Sequence, residues 1–252
     1  MAERAVVDHF ALDRELGILF NHSGDNYSFA ASITGDNIEA DEAGDDSYSF
    51  VSRFTYNPIK TDQTLVHIGT SMAFSEVPEE GVSYGARPGS KIDGGAKLVS
   101  NKLIDADEQF IYGIELALIK GAFSLQSEYI HTQVNANYGS NNEDYSAYYL
   151  AASWFITGES RSYEVDEGKF DKPVMSRNAW ELAARFDHVD LSDNSNGVNK
   201  NEGQLDTFTL GLNYYPSKAI RFSLNLIKSS SDLVIADNED VNIIQLRSQL
   251  VF

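Results

Sequence analysis

The stretch VNIIQLRSQLVF, residues 241–252, decides the fold. Counting back in twos from Phe252 gives Leu250, Ser248, Leu246 and Ile244, while the other register gives Val251, Gln249, Arg247 and Gln245. One face is mostly apolar and the other carries the polar groups. A strand that ends on an aromatic, with an apolar outer row and Gln and Arg inside, suits a wall with lipid outside and water inside. The leading expectation is therefore an all-β fold, an antiparallel transmembrane β-barrel, with Phe252 and Leu250 as its membrane-insertion signal.

Working outward from that strand, alternating segments recur near 14–21, 27–35, 47–57, 65–74, 109–119, 122–134, 146–158, 179–190, 205–215 and 219–229. Most have the ~9–11 residues that a tilted strand needs to cross a bilayer. In 207–215, Phe208, Leu210, Leu212 and Tyr214 share one face, against Thr207, Thr209, Gly211 and Asn213. In 220–227, Phe222, Leu224 and Leu226 oppose Arg221, Ser223 and Asn225; in 110–118, Tyr112, Ile114 and Leu116 oppose Gly113, Glu115 and Ala117. Trp180, Leu182, Ala184 and Phe186 oppose Glu181, Ala183, Arg185 and Asp187 in the same way. The polar rows hold charges that would be costly facing lipid.

Composition permits this reading without proving it. The 252 residues suffice for one large all-β unit, a single β-barrel domain over 1–252. A 42% hydrophobic content would suit a soluble protein equally well, because barrel strands dilute their apolar residues by alternation. No run approaches the roughly 18 apolar residues of a membrane helix. Cysteine is absent, which removes disulfides, thiolate metal sites and cysteine nucleophiles.

Connection lengths alternate, a second barrel signature. Short turns fall at 23–26, 58–63, 120–121 and 216–218, and long loops at 36–46, 75–108, 135–145, 191–204 and 230–240. With Phe252 at the periplasm, every short turn is periplasmic and every long loop external. Segment 159–178 breaks the rule as an unusually long periplasmic connection, expected to fold back as a plug or docking element. Eleven strands is an odd count that cannot close an ordinary up-and-down barrel. A sixteen-stranded barrel lacking its first five strands would give eleven, and would account for the absence of a secretion signal behind Met1. A miscount by one or two strands is the alternative.

Several runs resemble the phosphate-selective porin O and P family. Met1-Ala2-Glu3-Arg4, Phe10-Ala11 and Arg14-Glu15-Leu16-Gly17 are similar to the middle of its chains, and Arg53-Phe54-Thr55-Tyr56-Asn57-Pro58 and His67-Ile68-Gly69 to its next strands. Residues 112–116 and 123–129 resemble its central hairpin; 155–163, 179–186 and 245–249 match most strongly. The resemblance implies a sixteen-stranded, usually homotrimeric porin in the bacterial outer membrane that passes small anions such as phosphate or polyphosphate along lumenal arginines and lysines. The present chain would be its C-terminal two-thirds, in contact with outer-membrane lipid and lipopolysaccharide. In charge it departs from the family pattern, with 38 acidic against 19 basic residues.

The field an ion meets depends on which charges line the constriction rather than on net charge. Alternation aims Arg53, Arg185, Arg221 and Arg247 inward, together with Glu115, Glu128, Glu181 and Asp187. Arg87 belongs to the 75–108 loop, the candidate for folding into the lumen. These charges form a paired wall network, a basic ladder for conduction, or both, since guanidinium groups paired with carboxylates still attract a passing oxyanion. The acidic run Asp36, Glu39, Asp41, Glu42, Asp45 and Asp46 reads as an outer surface.

No enzymatic chemistry is legible. The five histidines are scattered without metal-ligand spacing, no Gly-x-Ser-x-Gly turn occurs, and the acidity argues against nucleic acid. No cofactor is implied. Tyr48, Tyr56, Tyr129, Tyr148, Trp154, Trp180 and Tyr214 fall on outward rows and read as interface girdles. The functional expectation is a passive outer-membrane porin for small hydrophilic solutes; the alternatives are a structural or adhesive barrel with acidic loops, and a soluble ligand-binding β-barrel.

Overall fold

The computed structural model describes residues 4–12, 15–37, 48–77, 81–90, 97–103, 106–136, 142–174, 178–192, 202–234 and 237–250. A short 3-10 turn (Val6–Phe10) precedes β1 (Glu15–Ser23), β2 (Tyr27–Asn37), β3 (Tyr48–Lys60) and β4 (Thr64–Glu76). A small hairpin, β5 (Val82–Ala86) and β6 (Val99–Leu103), comes next, then β7 (Ala106–Lys120), β8 (Phe123–Ala136) and β9 (Glu143–Phe155). A second hairpin, β10 (Ser160–Glu164) and β11 (Lys169–Val174), leads to β12 (Ala179–Asp190), β13 (Gly203–Ser217), β14 (Ile220–Leu233) and β15 (Asp240–Leu250).

Eleven of these strands form one antiparallel sheet in the order β1-β2-β3-β4-β7-β8-β9-β12-β13-β14-β15. Each corresponds to one alternating segment of the sequence, with ends moved by a few residues. The sheet is open, with β1 and β15 at its edges. Of the terminal insertion signal, Leu250 pairs with Ile220 and is exposed, whereas Phe252 lies outside the described residues, as does most of the acidic run at 36–46.

Burial is inverted relative to a water-soluble sheet. On β13, Phe208 and Leu210 are each 47% exposed, while Thr207, Thr209 and Asn213 are 3% or less. The period of two sends the row Phe208, Leu210, Leu212 and Tyr214 to the outer face, and a hydrocarbon solvent makes that favourable. Trp180 stacks on Tyr214 with centroids 4.5 Å apart near the short-turn end. Tyr48, Tyr56, Tyr129, Tyr148 and Trp154 stand outward as the alternation requires.

The tight turns lie at one end. Lys120 pairs with Phe123 across a two-residue connection in which Gly121 takes φ 56°, the positive value that matches strand twist in such loops. Two prolines sit at breaks in register, where a missing N–H does no harm. The break at Pro58 sets Asn57 and Pro58 against His67, and the one at Pro216 sets Tyr215 and Pro216 against Arg221. Bulges of this kind re-aim the residue opposite.

Three segments occupy the concave side. The β5–β6 hairpin and the Val6–Phe10 turn lie over the long-loop half, where Val6, Val7, Phe10, Tyr84 and Val99 pack against Val134, Ala147, Val189 and Leu205 of the wall. The inner row, expected to be polar, therefore carries Val134, Ala147, Val189 and Leu205 between its polar residues in this half, because its partners there are folded chain rather than water. Tyr84 donates to Gln109 Oε1 (2.6 Å), and burial pushes its phenol well above the usual tyrosine range. The β10–β11 hairpin enters from the short-turn end, so the described part of segment 159–178 folds back into the lumen as expected.

Candidate functional site in the lumen

The β10–β11 hairpin is anchored to the far side of the wall. Arg53 on β3 forms a two-pronged ion pair with Glu115 on β7, Nε to Oε1 and Nη2 to Oε2, both at 2.7 Å. Its remaining donors reach the hairpin turn: Nη1 bonds the Glu167 carbonyl and Nη2 the Gly168 carbonyl, each at 2.8 Å. Gly168 takes φ 61°, and a Cβ there would come 2.8 Å from Thr55, so the turn approaches the wall as closely as only glycine allows. His67, 3.6 Å from Glu115, hydrogen-bonds the Tyr163 hydroxyl, and burial raises the pKa of that phenol.

Three further charged groups sit elsewhere on the wall. Glu181 on β12, fully buried, takes Arg161 of β10, Asn213 Nδ2 (3.0 Å) and the Tyr215 hydroxyl (2.8 Å). Arg161 also lies over the Phe155 ring at 5.5 Å. Higher up, Arg185 donates Nε to Asp187 Oδ2 (2.6 Å) and Nη2 to the Arg4 carbonyl (3.1 Å), while Asp187 accepts the Val6 backbone N–H (3.1 Å). Glu128 accepts Tyr149 Oη (2.6 Å) and Gln126 Nε2 (3.1 Å). Carboxylates buried in this way are tolerable only with such partners.

Between these groups lie two cavities. One, of about 550 Å³, is bordered by Arg4, Arg161, Arg185 and Arg221, with Asp8 and Glu128 as its acids. The other, of about 560 Å³, opens toward the short-turn end between β10–β11 and the β13–β14 turn; among the described residues its cations are Arg161, Lys172, Lys218 and Arg221 and its acid is Asp171. Arg161, Phe170 and Arg221 border both. Arg221 bonds the neutral side-chain oxygen of Gln249 (2.7 Å), so its charge is not consumed by a carboxylate in that contact.

Of the residues picked out by alternation, Arg53, Arg185, Glu115, Glu128 and Glu181 all reach the inner face and enter hydrogen-bond networks. Arg221 reaches the cavities. Arg87, on the β5–β6 hairpin, joins Arg4, Arg185 and Asp187 around a small cleft. Arg247, on the edge strand opposite Ser223, borders neither large cavity. Alternation missed Arg4, Arg161, Lys172 and Lys218, which come from segments without strand periodicity. The one signal for Arg161 was its place in the 155–163 run.

A family model described as phosphate-selective porin O and P matches residues 1–252. The chain belongs to that family. Porin O of Pseudomonas aeruginosa is 25% identical over 226 residues, covering 79% of this chain and 52% of that protein. The chain thus spans about half the length of this curated relative. Among solved structures, LpxR from Salmonella typhimurium aligns over 93% of this chain and 88% of its own, at 13% identity and a TM-score of 0.34. Membership of the porin O and P family places the wall in the Gram-negative outer membrane.

Proposed function

We propose that the eleven strands are part of a closed outer-membrane barrel whose lumen passes small anions, phosphate among them, by passive diffusion. The observation that carries this is Arg221, a cation hydrogen-bonded to the neutral side chain of Gln249 at the junction of two lumenal cavities whose described lining holds more basic than acidic side chains. A guanidinium in that setting attracts an oxyanion without binding it irreversibly, as conduction requires. At the edge of the sheet, Leu16, Ile18, Leu19 and Phe20 are 60–82% exposed, which supports further strands completing the wall. The reading extends to a homotrimer standing in lipid and lipopolysaccharide, and to a conduit that makes and breaks no covalent bond.

One observation favours a second reading, a structural barrel whose pore is secondary: the apolar cluster around Phe10, Tyr84 and Val99 fills the long-loop half of the concave face. Planar-bilayer reversal potentials of the complete protein under a salt gradient, with phosphate titrated into chloride, separate the two. Anion preference with phosphate block upholds the porin reading. Cation preference overturns its anion part, and absence of conductance favours the structural barrel.

A further inference from the structure

We infer that the cavity at the short-turn end is a binding site for a small organic anion, one carrying a single phosphate or carboxylate head on a compact apolar body. This rests on the anion-passing reading and deepens it. The site is two-sided in chemistry. Lys172, Lys218 and Arg221 supply its charge, and Phe170, Pro173 and Ile220 supply carbon. Arg161, the fourth cation, is held by the buried Glu181, and the one lining acid, Asp171, accepts a hydrogen bond from Ser162 Oγ (3.3 Å). Among the described residues, three cations thus face one acid.

Bare phosphate presents polar oxygens in every direction, and each one turned to the Phe170 and Ile220 side would lose water without gaining a donor. An ester or aryl carboxylate matches both halves, with its charged head toward the lysines and Arg221 and its body against the ring and the aliphatic carbon. The volume of about 560 Å³ lies within the ~300–1,000 Å³ of ordinary small-molecule sites, which are likewise mostly apolar with a few placed polar groups. The cavity is built by elements that the fold holds independently. Phe170 meets Tyr163 edge-on at 6.3 Å in the anchored hairpin, and Arg221 stands opposite the Tyr215–Pro216 bulge of the wall.

The test is block of chloride current through the complete protein by phenyl phosphate and by inorganic phosphate, with reversal potentials recorded in the same membranes. Burial of the phenyl ring is expected to lower the half-blocking concentration about tenfold relative to inorganic phosphate. Lys172→Gln with Lys218→Gln should raise it several-fold. Phe170→Ser should abolish the difference between the two probes, and Ile220→Asn, which leaves the hairpin untouched, should reduce it. Equal block by both probes in an anion-selective channel overturns the organic-anion site alone, as does a preference for phenyl phosphate that survives all of these substitutions. Cation selectivity overturns the site and the reading beneath it together.

Discussion

Arg53 donates to the carbonyl oxygen of Gly168 at 2.8 Å across 115 residues of chain, and with the same nitrogen to Glu115 on the neighbouring wall. One guanidinium thereby ties the tip of a lumenal hairpin to the strands opposite its root. Arginine suits this role because its donors are fixed in a plane and serve a carboxylate and two carbonyls at once.

Arg53→Ala should free the hairpin turn. Hydrogen bonds to a charged group contribute about 1.5–3 kcal/mol, and the partial exposure of Arg53 puts the expected loss at the lower end. Hydrogen exchange at 165–168 should accelerate by about tenfold or more, and single-channel conductance should rise. Unchanged protection at the turn would show that other contacts hold the hairpin.

Gly168→Val should produce a similar release without removing a charge. The backbone at φ 61° is strained for a β-branched residue, and the added Cβ meets Thr55. Protease sensitivity of the turn in the folded protein is the measurement, and wild-type resistance would contradict the close approach.

Arg185 and Arg221 should separate structure from conduction. Arg185→Ala leaves the buried Asp187 uncompensated and should cost about 3–5 kcal/mol, read as a lowered urea midpoint in lipid. Arg185→Leu with Asp187→Leu should recover most of it. Arg221→Glu should leave that midpoint nearly unchanged yet move the reversal potential toward cations. Arg247→Glu, at a position that lines neither cavity, should move it less.

Leu210→Arg tests which face meets lipid. It lies mid-strand on β13 on the exposed row, where arginine costs about 2–4 kcal/mol at mid-bilayer. Folding yield into vesicles should fall accordingly; an undiminished yield would argue against a lipid-facing convex side.

Alkaline pH should loosen the lumenal contents before the wall. Tyr84 and Tyr163 both ionise above the ordinary value of 10.0 because burial disfavours their phenolates. A folded-state pKa above the unfolded one means stabilisation that is complete below pH 10.0 and lost as pH rises through the raised values. Channel conductance should therefore hold up to about that pH and change only beyond it, as the two buried phenols ionise. A change in conductance well below pH 10 would point to other groups.

The alternation of residues along each strand was enough to place eleven wall strands, to assign Phe208, Leu210 and Trp180 to the outer face, and to turn Arg53, Glu115 and Glu181 inward. That is because strand geometry has a strict period of two and neighbouring strands are mostly neighbours in sequence, so face and register are local properties. Which inward charges meet which partners was decided by the tertiary structure. Arg161 reaches Glu181 from a segment with no wall periodicity, Gly168 reaches Arg53 across the lumen, and the Val6–Phe10 turn completes the Asp187 site from the other end of the chain. Hydrogen bonds and burial in the lumen join residues brought together by curvature of the whole sheet, and no local pattern encodes that meeting.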